Sequence, residues 1–362
     1  MQQTPHIPDI TLVGAGVIGL LSAFELADAG ASVRVIDRQQ AAMESSWAGG
    51  GILSPLYPWR YSTAVTALAS WSQHAYPGVI EFLKSKTGID PEWLQNGMLV
   101  TAMSERCEAL AWGQGLQQAV FEISHAEALE LEPSVHLSEA PLWMPKIGSV
   151  RNPRLGQALR RLCQEHPRIE LIETAQAALR GSVESPELWV GGEHLKSGRL
   201  VISAGAWTAE LLASVSVSCP IKPMKGQMLL FSPCALVSRV VLADGRYAIP
   251  RGDGRIVFGS TLEDVGFRRA PDRAGFEDLY SSAVSLIPQL KNVPVEAQWA
   301  GFRPGSPDGL PWIGPLSDAL WINAGHFRNG VVLAPASARL LADQMMGRNP
   351  IIDPVSYQPK VF

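Results

Sequence analysis

A glycine-rich turn between a strand pattern and a helix pattern limits the fold of this chain more than any other feature. The apolar run DITLV leads into GAGVIG at 14–19, the helical pattern LLSAFELADAG follows, and ASVRVID has the pattern of a second strand. This order predicts a βαβ unit with a parallel sheet. We expect Gly14 to allow the tight turn, Gly16 to let the backbone approach a pyrophosphate, and Gly19 to allow close packing of the helix.

An acid ends the second strand and strengthens this interpretation of the glycines. Asp37 lies at the spacing where a carboxylate accepts hydrogen bonds from the hydroxyls of a ribose. We therefore expect an adenine dinucleotide rather than a simple glycine-rich turn. A carboxylate disfavours a 2′-phosphate, although Arg38 beside it leaves NADP open. Arg38 itself is expected to be solvated or to cover the adenine.

Length and charge narrow the class of partner. The chain has 362 residues, too many for one simple core, and a net charge of -4 that indicates no nucleic-acid or polybasic membrane surface. Its four cysteines form no CxxC, so we expect neither a metal site nor a disulfide framework. The apolar run after Ile10 is preceded by no Lys or Arg and is broken by Glu25 and Asp28. We therefore expect a cytoplasmic protein with a small-molecule partner and no integral membrane segment.

The rest of the chain predicts two lobes. A helix is expected over 63–86 with a break or kink at Pro77, and another over 152–166 with Asn152 as its cap and Pro153 in its first position. Between 219 and 297, the strand patterns GQMLLFS, RYAIPR and RIVFGST precede one helix. We predict an α/β fold in which a Rossmann-like nucleotide-binding lobe carries an inserted α+β substrate lobe built on an antiparallel sheet. The predicted bounds are 1–85, 148–218 and 298–362 for the first lobe, and 86–147 and 219–297 for the second.

Six stretches resemble the D-amino-acid-oxidase-like flavoproteins and, among them, the glycine oxidases of thiamine biosynthesis. They are VGAGVIGL with Asp37, SSWAGGGILSP, VISAGAW, YAIPRGDGRIVFGST, WAGFRPGSPDGLPWIG and AGHFRNGVVLAP, and they extend over nearly the whole chain. The resemblance implies FAD as cofactor. Sarcosine oxidases of this family attach flavin to a cysteine shortly after the GxRP turn. No cysteine follows Cys234 here, so we expect FAD to be noncovalent.

The resemblance also implies which residues contact FAD. Besides the three glycines of the first turn, the matching positions are Val17 and Ile18 at the pyrophosphate, Asp37 and Arg38 at the adenosine, Ser45, Ser46, Gly50, Gly51 and Ile52 along the flavin, Gln176 through its backbone, and His326, Phe327, Arg328, Asn329, Gly330, Val331 and Val332 below the isoalloxazine ring. A helix that begins near Val331 would point its positive end at this ring.

Three further positions are expected to bind substrate. The fork of an arginine binds a carboxylate through two hydrogen bonds, and the resemblance assigns this clamp to Arg303, with an ion pair to an acid such as Asp308 as the alternative. It assigns a second carboxylate contact to Tyr247, which is otherwise expected to be a packed strand aromatic. Arg328 is expected to contact substrate or flavin, or else to form a structural ion pair.

Other positions carry weaker expectations. Glycine oxidases can carry a histidine two residues before the tyrosine, where this chain has Gly245. We assign no catalytic role to His326, because water can accept the proton of a substrate ammonium. Trp299, Leu262 and Ile52 are expected to wall an apolar pocket or to pack in the core. Catalysis should then rest on orientation and on the flavin.

These features predict FAD-dependent oxidative deamination of glycine, other small amines or D-amino acids. The products would be an imine or keto acid, ammonia and H₂O₂, with O₂ as acceptor and a place in thiamine biosynthesis. One alternative is a D-amino acid dehydrogenase that passes electrons to a quinone or carrier. Another is a flavin-binding subunit that needs a partner chain. The family suggests a homo-oligomer, specifically a homotetramer.

Overall fold

The structure, a computed structural model, describes residues 7–101 and 104–360. The α-helices are α1 (Val17–Asp28), α2 (Ser45–Ala48), α3 (Thr63–Thr87), α4 (Arg106–Gly115), α5 (His125–Leu131), α6 (Asn152–Glu165), α7 (Thr208–Ala213), α8 (Arg273–Leu286) and α9 (Gly330–Met345). The strands are β1 (Ile10–Val13), β2 (Val33–Ile36), β3 (Met98–Thr101), β4 (Phe121–Glu122), β5 (Leu142–Met144), β6 (Ile169–Ile172), β7 (Ala177–Gly181), β8 (Pro186–Val190), β9 (Glu193–Leu195), β10 (Arg199–Ile202), β11 (Lys222–Phe231), β12 (Val240–Ala243), β13 (Arg246–Pro250), β14 (Ile256–Gly259), β15 (Val295–Gly305), β16 (Trp312–Pro315) and β17 (Leu320–Ala324).

The predicted βαβ unit lies at the centre of a six-stranded sheet with the order β16-β17-β10-β1-β2-β6. Strand β1 pairs in parallel with β2 on one side and with β10 on the other. The connections from β1 thus lead to neighbouring strands on both of its sides, so the strand order reverses at β1. Doubly wound sheets bind ligands at such a reversal. Only β16 runs antiparallel, as the partner of β17.

Both faces of this sheet are covered, which explains why its strands are almost wholly apolar. Helices α1, α3, α6 and α9 bury one face in a shared core. A small antiparallel sheet of β7, β8 and β9, together with α7, packs against the other face. None of the helices in the described residues is long and apolar enough to span a membrane.

A second sheet of eight strands has the order β15-β11-β14-β13-β12-β3-β5-β4. Its pairs are antiparallel except for β3 with β12. One face packs on α5 and α8. The opposite face, which includes Tyr247 and Met228, packs toward the segment that follows α2. The predicted α/β fold class is confirmed, and the second sheet is mostly but not wholly antiparallel.

Two local expectations are decided at least in part. Helix α3 continues through Pro77, so of the expected break or kink the break is excluded. The expected cap of α6 was wrong. Asn152 is the first residue of α6 rather than its cap, which is Arg151. The side-chain amide of Asn152 is turned inward, where its nitrogen and oxygen are buried without a hydrogen-bond partner in the described residues.

The bounds of the two lobes stay a prediction. Strand β15 pairs with β11 along its length, up to the contact between Gly305 and Lys222. The predicted bound at residue 298 therefore lies inside a strand of the second sheet. Arg303 belongs to this strand and not to the turn that follows it.

Candidate active site

One cavity of about 450 Å³ is lined by residues from both large sheets. It extends from the turn after β1 to the face of β13 and to the N-terminus of α9. Of the cofactor and substrate residues predicted from the sequence, all except Gly19 and Asn329 line this cavity. Residues up to about 300 positions apart in the sequence therefore form one continuous site.

The first turn leaves no room for side chains. Gly14 has a φ of +110°, and an added Cβ would lie 2.3 Å from the carbonyl oxygen of Ser203. An added Cβ on Gly19 would lie 1.9 Å from the carbonyl oxygen of Gly14, so Gly19 serves helix packing and not the cavity wall. Ser203 lines the cavity, and its hydroxyl is buried without a hydrogen-bond partner in the described residues.

One amide of this turn is already used. The Val17 N–H donates to Oγ of Ser46 at 2.8 Å. Ser46 therefore ties the start of α1 to α2. Val17 lines the cavity, but its N–H already donates to a protein side chain. Of the two predicted pyrophosphate contacts, only Ile18 has an N–H without a side-chain acceptor in the described residues.

Asp37 supports the turn that it faces. Its carboxylate accepts hydrogen bonds from the N–H groups of Ala15 at 2.7 Å and of Gln39 at 2.9 Å. Burial raises the pKa of Asp37 above its usual range, and these two donors oppose the shift. A carboxylate has about four acceptor positions, so capacity remains for hydroxyls in the cavity.

Arg38 covers an aromatic ring. Its guanidinium carbon lies 3.7 Å from the centre of the Trp207 ring, and Nη2 donates to Glu44 at 3.2 Å. All three side chains line the cavity. Arg38 is therefore a fixed part of the wall and not a freely solvated cation. Trp207 ends the stretch VISAGAW that carries the family resemblance, but its contact with Arg38, like that of Glu44, forms only in the folded chain.

The segment from Ser45 to Ile52 forms the wall between the two sheets. Ser45 donates its hydroxyl hydrogen to the carbonyl of Phe302, which joins α2 to β15. An added Cβ on Gly50 would lie 2.6 Å from Cδ1 of Ile249, so a side chain there would require the Ile249 side chain on β13 to move. Gly51 has a φ of +83° and likewise no space for a side chain.

The segment after β17 forms the opposite wall. Nε2 of His326 lies 3.0 Å from Oγ of Ser337, and burial lowers the pKa of His326 to about 3. The imidazole is therefore neutral at physiological pH. Helix α9 begins at Gly330 without a side-chain cap, and Gly330 and Val331 line the cavity, so the positive end of the helix lies at this wall. Asn329 is buried behind this wall, and its Nδ2 has no partner in the described residues.

Arg303 has hydrogen bonds but no counter-ion. Its guanidinium donates to Oγ of Ser260 at 2.6 Å and to the carbonyl of Thr261 at 3.2 Å. No acid in the described ranges forms an ion pair with it, and this includes Asp308. Burial lowers the pKa of Arg303, and the positive charge of Arg328 acts in the same direction. The cation nevertheless stays charged, because arginine starts from a very high pKa.

Arg328 and Tyr247 complete this end of the cavity. Arg328 also has no ion pair with any described acid. The structural ion pair that was its alternative role is therefore absent from the described residues. The hydroxyl of Tyr247 lies 3.6 Å from Sδ of Met228, a weak acceptor. Two cations and a phenol thus face one cavity without a carboxylate partner, which is an arrangement suited to a small carboxylate ligand.

The weaker pocket expectations had mixed outcomes. Ile52 lines the cavity, together with the unpredicted Leu56 and Met228. Trp299 instead donates its indole N–H to the carbonyl of Ala48 at 3.0 Å. Leu262 is 47% exposed at the surface. Trp299 therefore follows the alternative expectation, since it packs against the core cluster that includes Met228 and Tyr247, whereas Leu262 follows neither. Strand alternation alone does not say which face of β15, or which side of a loop, meets the cavity.

The backbone conformation explains why glycine occupies position 245. It has a φ of +74° in the turn between β12 and β13, where residues with a side chain are strained. Its N–H donates to the hydroxyl of Tyr57 at 2.9 Å. Tyr57 therefore packs against the turn at which glycine oxidases can carry a histidine.

The cavity fits a dinucleotide cofactor. The close backbone of the glycine turn leaves room for a pyrophosphate, the carboxylate of Asp37 can accept hydrogen bonds from hydroxyls, and the remaining walls are mostly apolar. The described residues contain no group of three or more side chains that could hold a metal ion.

Comparisons with known proteins agree with this geometry. A family profile described as FAD dependent oxidoreductase matches residues 9–344. The chain is 47% identical to the glycine oxidase of Pseudomonas aeruginosa over 97% of its own length and 98% of that protein. It is 31% identical to the bifunctional protein ThiO/ThiG of Trichormus variabilis, over 92% of this chain and 52% of that protein. The crystal structure of glycine oxidase from Geobacillus kaustophilus superposes with a TM-score of 0.90 at 29% identity and covers 98% of both chains.

Proposed function

This chain belongs to the family of FAD-dependent oxidoreductases, and we propose that it oxidises glycine or a comparably small amino acid with O₂ as the electron acceptor. FAD is its cofactor. One observation carries the proposal: Arg303 and Arg328 face, without a counter-ion among the described residues, the same cavity as the dinucleotide turn. A small substrate with one carboxylate would supply a counter-ion to Arg303, and because these residues and the dinucleotide turn line one cavity, it would lie beside the cofactor.

The residues that would hold FAD follow from the walls of the cavity. The turn with Gly14, Gly16 and Ile18 would take the pyrophosphate, Asp37 the ribose, and the segments 50–52 and 326–332 the ring system. We retain Val17 as a wall residue whose amide does not take part. When bound, FAD supplies a ring that takes up a hydride and later returns the electrons to O₂.

The chain's own residues would bind and orient the substrate. We assign the carboxylate clamp to Arg303, whose planar fork fixes the direction of the substrate as well as its position. Tyr247 would donate one further hydrogen bond from its hydroxyl. Arg328 adds positive charge and favours an anionic group over a neutral amine. Substrates without a carboxylate should therefore be poor.

The proton of the substrate ammonium needs an acceptor, and no side chain suits this task well. His326 is neutral, but its pKa of about 3 makes it too weak a base for an ammonium at neutral pH. We therefore propose that water accepts this proton. For glycine, the Cα–H bond then breaks, the imine forms, and water hydrolyses it. The balanced reaction is glycine, O₂ and water to glyoxylate, ammonia and H₂O₂.

The test uses the purified chain alone. Its visible spectrum is recorded, glycine is added without oxygen, and air is then admitted. We expect a flavin spectrum, bleaching by glycine and rapid recovery in air with release of H₂O₂. No flavin spectrum would refute the cofactor assignment. Bleaching without rapid recovery would favour a dehydrogenase, and no bleaching by any small amino acid would favour a subunit that needs a partner.

The biological setting is also part of the proposal. Similarity to the ThiO/ThiG protein supports a role in thiamine biosynthesis. We further propose a cytoplasmic enzyme that assembles as a homo-oligomer, specifically a homotetramer. Cell fractionation tests the first statement. Light scattering of the purified protein tests the second, and a monomer mass of 39.1 kDa at working concentrations would refute it.

A further inference from the structure

Two alternate residues of β13 and the residue that follows the strand face the wall segment 49–52. Because successive side chains of a strand point to opposite faces, Tyr247, Ile249 and the residue that follows β13, Arg251, share one side. Tyr247 and Ile249 lie against Gly50, where an added Cβ would approach both side chains within 3.2 Å. Arg251 lies at the end of this row and outside the cavity. It therefore contacts the wall segment on the side that faces away from the cavity.

Arg251 holds two carbonyl groups. Its Nη2 donates to the oxygen of Gly50 at 2.8 Å, and its Nη1 donates to the oxygen of Val150 at 3.0 Å. The Val150 N–H in turn donates to the carbonyl of Gly51 at 2.9 Å. One guanidinium thus joins the wall segment to the segment before α6, across a sequence separation of 201 residues from Gly50.

The charge of Arg251 is buried. Only 7% of the residue is exposed, and it has no ion pair with an acid within residues 7–101 and 104–360. Burial lowers the pKa of Arg251 to about 10, which leaves it protonated at neutral pH. Such a cation is costly to bury, and the two carbonyls are the partners that offset its desolvation. The Arg251 guanidinium therefore serves to bind these two carbonyl groups.

The direction of one peptide group follows from these contacts. In a trans peptide, the C=O and N–H groups point to opposite sides. Since the carbonyl of Gly50 points at Arg251, the N–H of Gly51 points away from it, and Gly51 lines the cavity. This N–H has no acceptor in the described part of the chain. A cation on the carbonyl also polarises the peptide and strengthens its N–H as a donor.

We propose that Arg251 is a positioning residue that directs the N–H of Gly51 into the cavity and strengthens it as a hydrogen-bond donor to the bound cofactor. The proposal rests on the proposed function, since it requires FAD in this cavity. Arg251 does not touch the cofactor or the substrate. Its effect reaches them through the peptide group between Gly50 and Gly51.

The test compares holoenzyme variants by properties of the bound flavin. Arg251→Met keeps an unbranched side chain without donors, Arg251→Lys keeps the charge, and Arg251→Gln keeps a donor without charge. The control is Arg273→Met, which makes the same substitution at an exposed arginine that pairs with Glu277 on α8 and has no contact to the wall. The measurements are the flavin absorption spectrum, the midpoint potential, the Kd of FAD, and kcat and KM for glycine.

We expect Arg251→Met to lower the midpoint potential, to shift the flavin spectrum and to weaken FAD binding about tenfold, the effect of one charged hydrogen bond. The value of kcat should fall with little change in KM, because the substrate clamp is untouched. Arg251→Lys should recover part of each change, and Arg273→Met should match the wild type. A folded Arg251→Met variant with wild-type spectrum, potential and kcat would overturn the proposal.

Loss of folding in Arg251→Met would leave the comparison of Arg251→Lys with Arg251→Gln. A potential nearer to the wild type in the lysine variant would support the proposal, and equal potentials would overturn it. Failure of the proposed function is a separate outcome. It would appear in the wild type as a missing flavin spectrum or as no bleaching by glycine, whereas failure of this inference appears only in the variants.

Discussion

The guanidinium of Arg303 packs directly against the α-carbon of Gly226. Arg303 on β15 is in register with Met224 on β11, and Gly226 lies two residues further along the same face. An added Cβ on Gly226 would lie 2.1 Å from Nη1 and 2.4 Å from Nη2 of Arg303. The absence of a side chain at 226 therefore sets where the proposed carboxylate clamp can lie.

Gly226→Ala should displace this clamp without unfolding the protein, because the clashing group is the end of a flexible side chain. We expect kcat/KM for glycine to fall by about a hundredfold, as for a reacting group misplaced by an ångström. Steady-state kinetics measures this. Gly78→Ala is the control, since nothing lies within 4 Å of an added Cβ there. An unchanged kcat/KM in Gly226→Ala would mean that Arg303 does not bind the substrate carboxylate.

Arg303→Ala and Arg303→Lys test the clamp itself. Loss of a charged hydrogen-bond donor pair should weaken transition-state binding by roughly 2–5 kcal/mol. Lysine should recover little, because it lacks the planar fork. The ratio of kcat/KM values gives the free energy. Arg273→Ala removes an exposed arginine from the pair with Glu277 and should have no effect. Near-normal turnover in both variants at 303 would eliminate the proposed role.

His326 should make the folded state sensitive to acid. Its pKa is about 3 in the folded chain and near 6.5 when unfolded, so the unfolded state binds more protons between these values. Stability is therefore complete above about pH 6.5 and falls as the pH decreases toward 3, by a few kcal/mol in all. His326→Gln keeps a polar group near Ser337 and should flatten this dependence. Urea unfolding between pH 7 and 4 with saturating FAD would show it. Parallel curves would contradict the prediction.

Gly245 should tolerate asparagine better than histidine. At a φ of +74°, a residue with a side chain costs about 1–2 kcal/mol, and asparagine costs least. Gly245→His should therefore lower Tm more than Gly245→Asn does. It should also fail to raise kcat/KM for glycine, because its strained backbone disturbs the contact with Tyr57. Equal Tm values for the two variants would show that the turn adapts freely.

Much of the fold could be predicted from local spacing. The period of the apolar residues and the glycines at 14, 16 and 19 determine a strand, a tight turn and a helix within some thirty residues, and the structure confirms this unit. The α/β class and the FAD family followed from such motifs. The cofactor and substrate positions predicted from the resemblance, except Gly19 and Asn329, also line one cavity, although their individual roles stay predictions.

Tertiary structure decided the partners of each side chain. Three features depend on segments that are far apart in the sequence. They are the lack of a counter-ion at Arg328, the direction of Trp299, and the hydrogen bond to the carbonyl of Gly50. The contact between Arg251 and Gly50 spans 201 residues, and no local pattern encodes it. The sequence alone determined the elements and the chemical types at the site, because these depend on near neighbours. The pairing of charges, carbonyls and glycines was decided only when the two sheets packed together around the cavity.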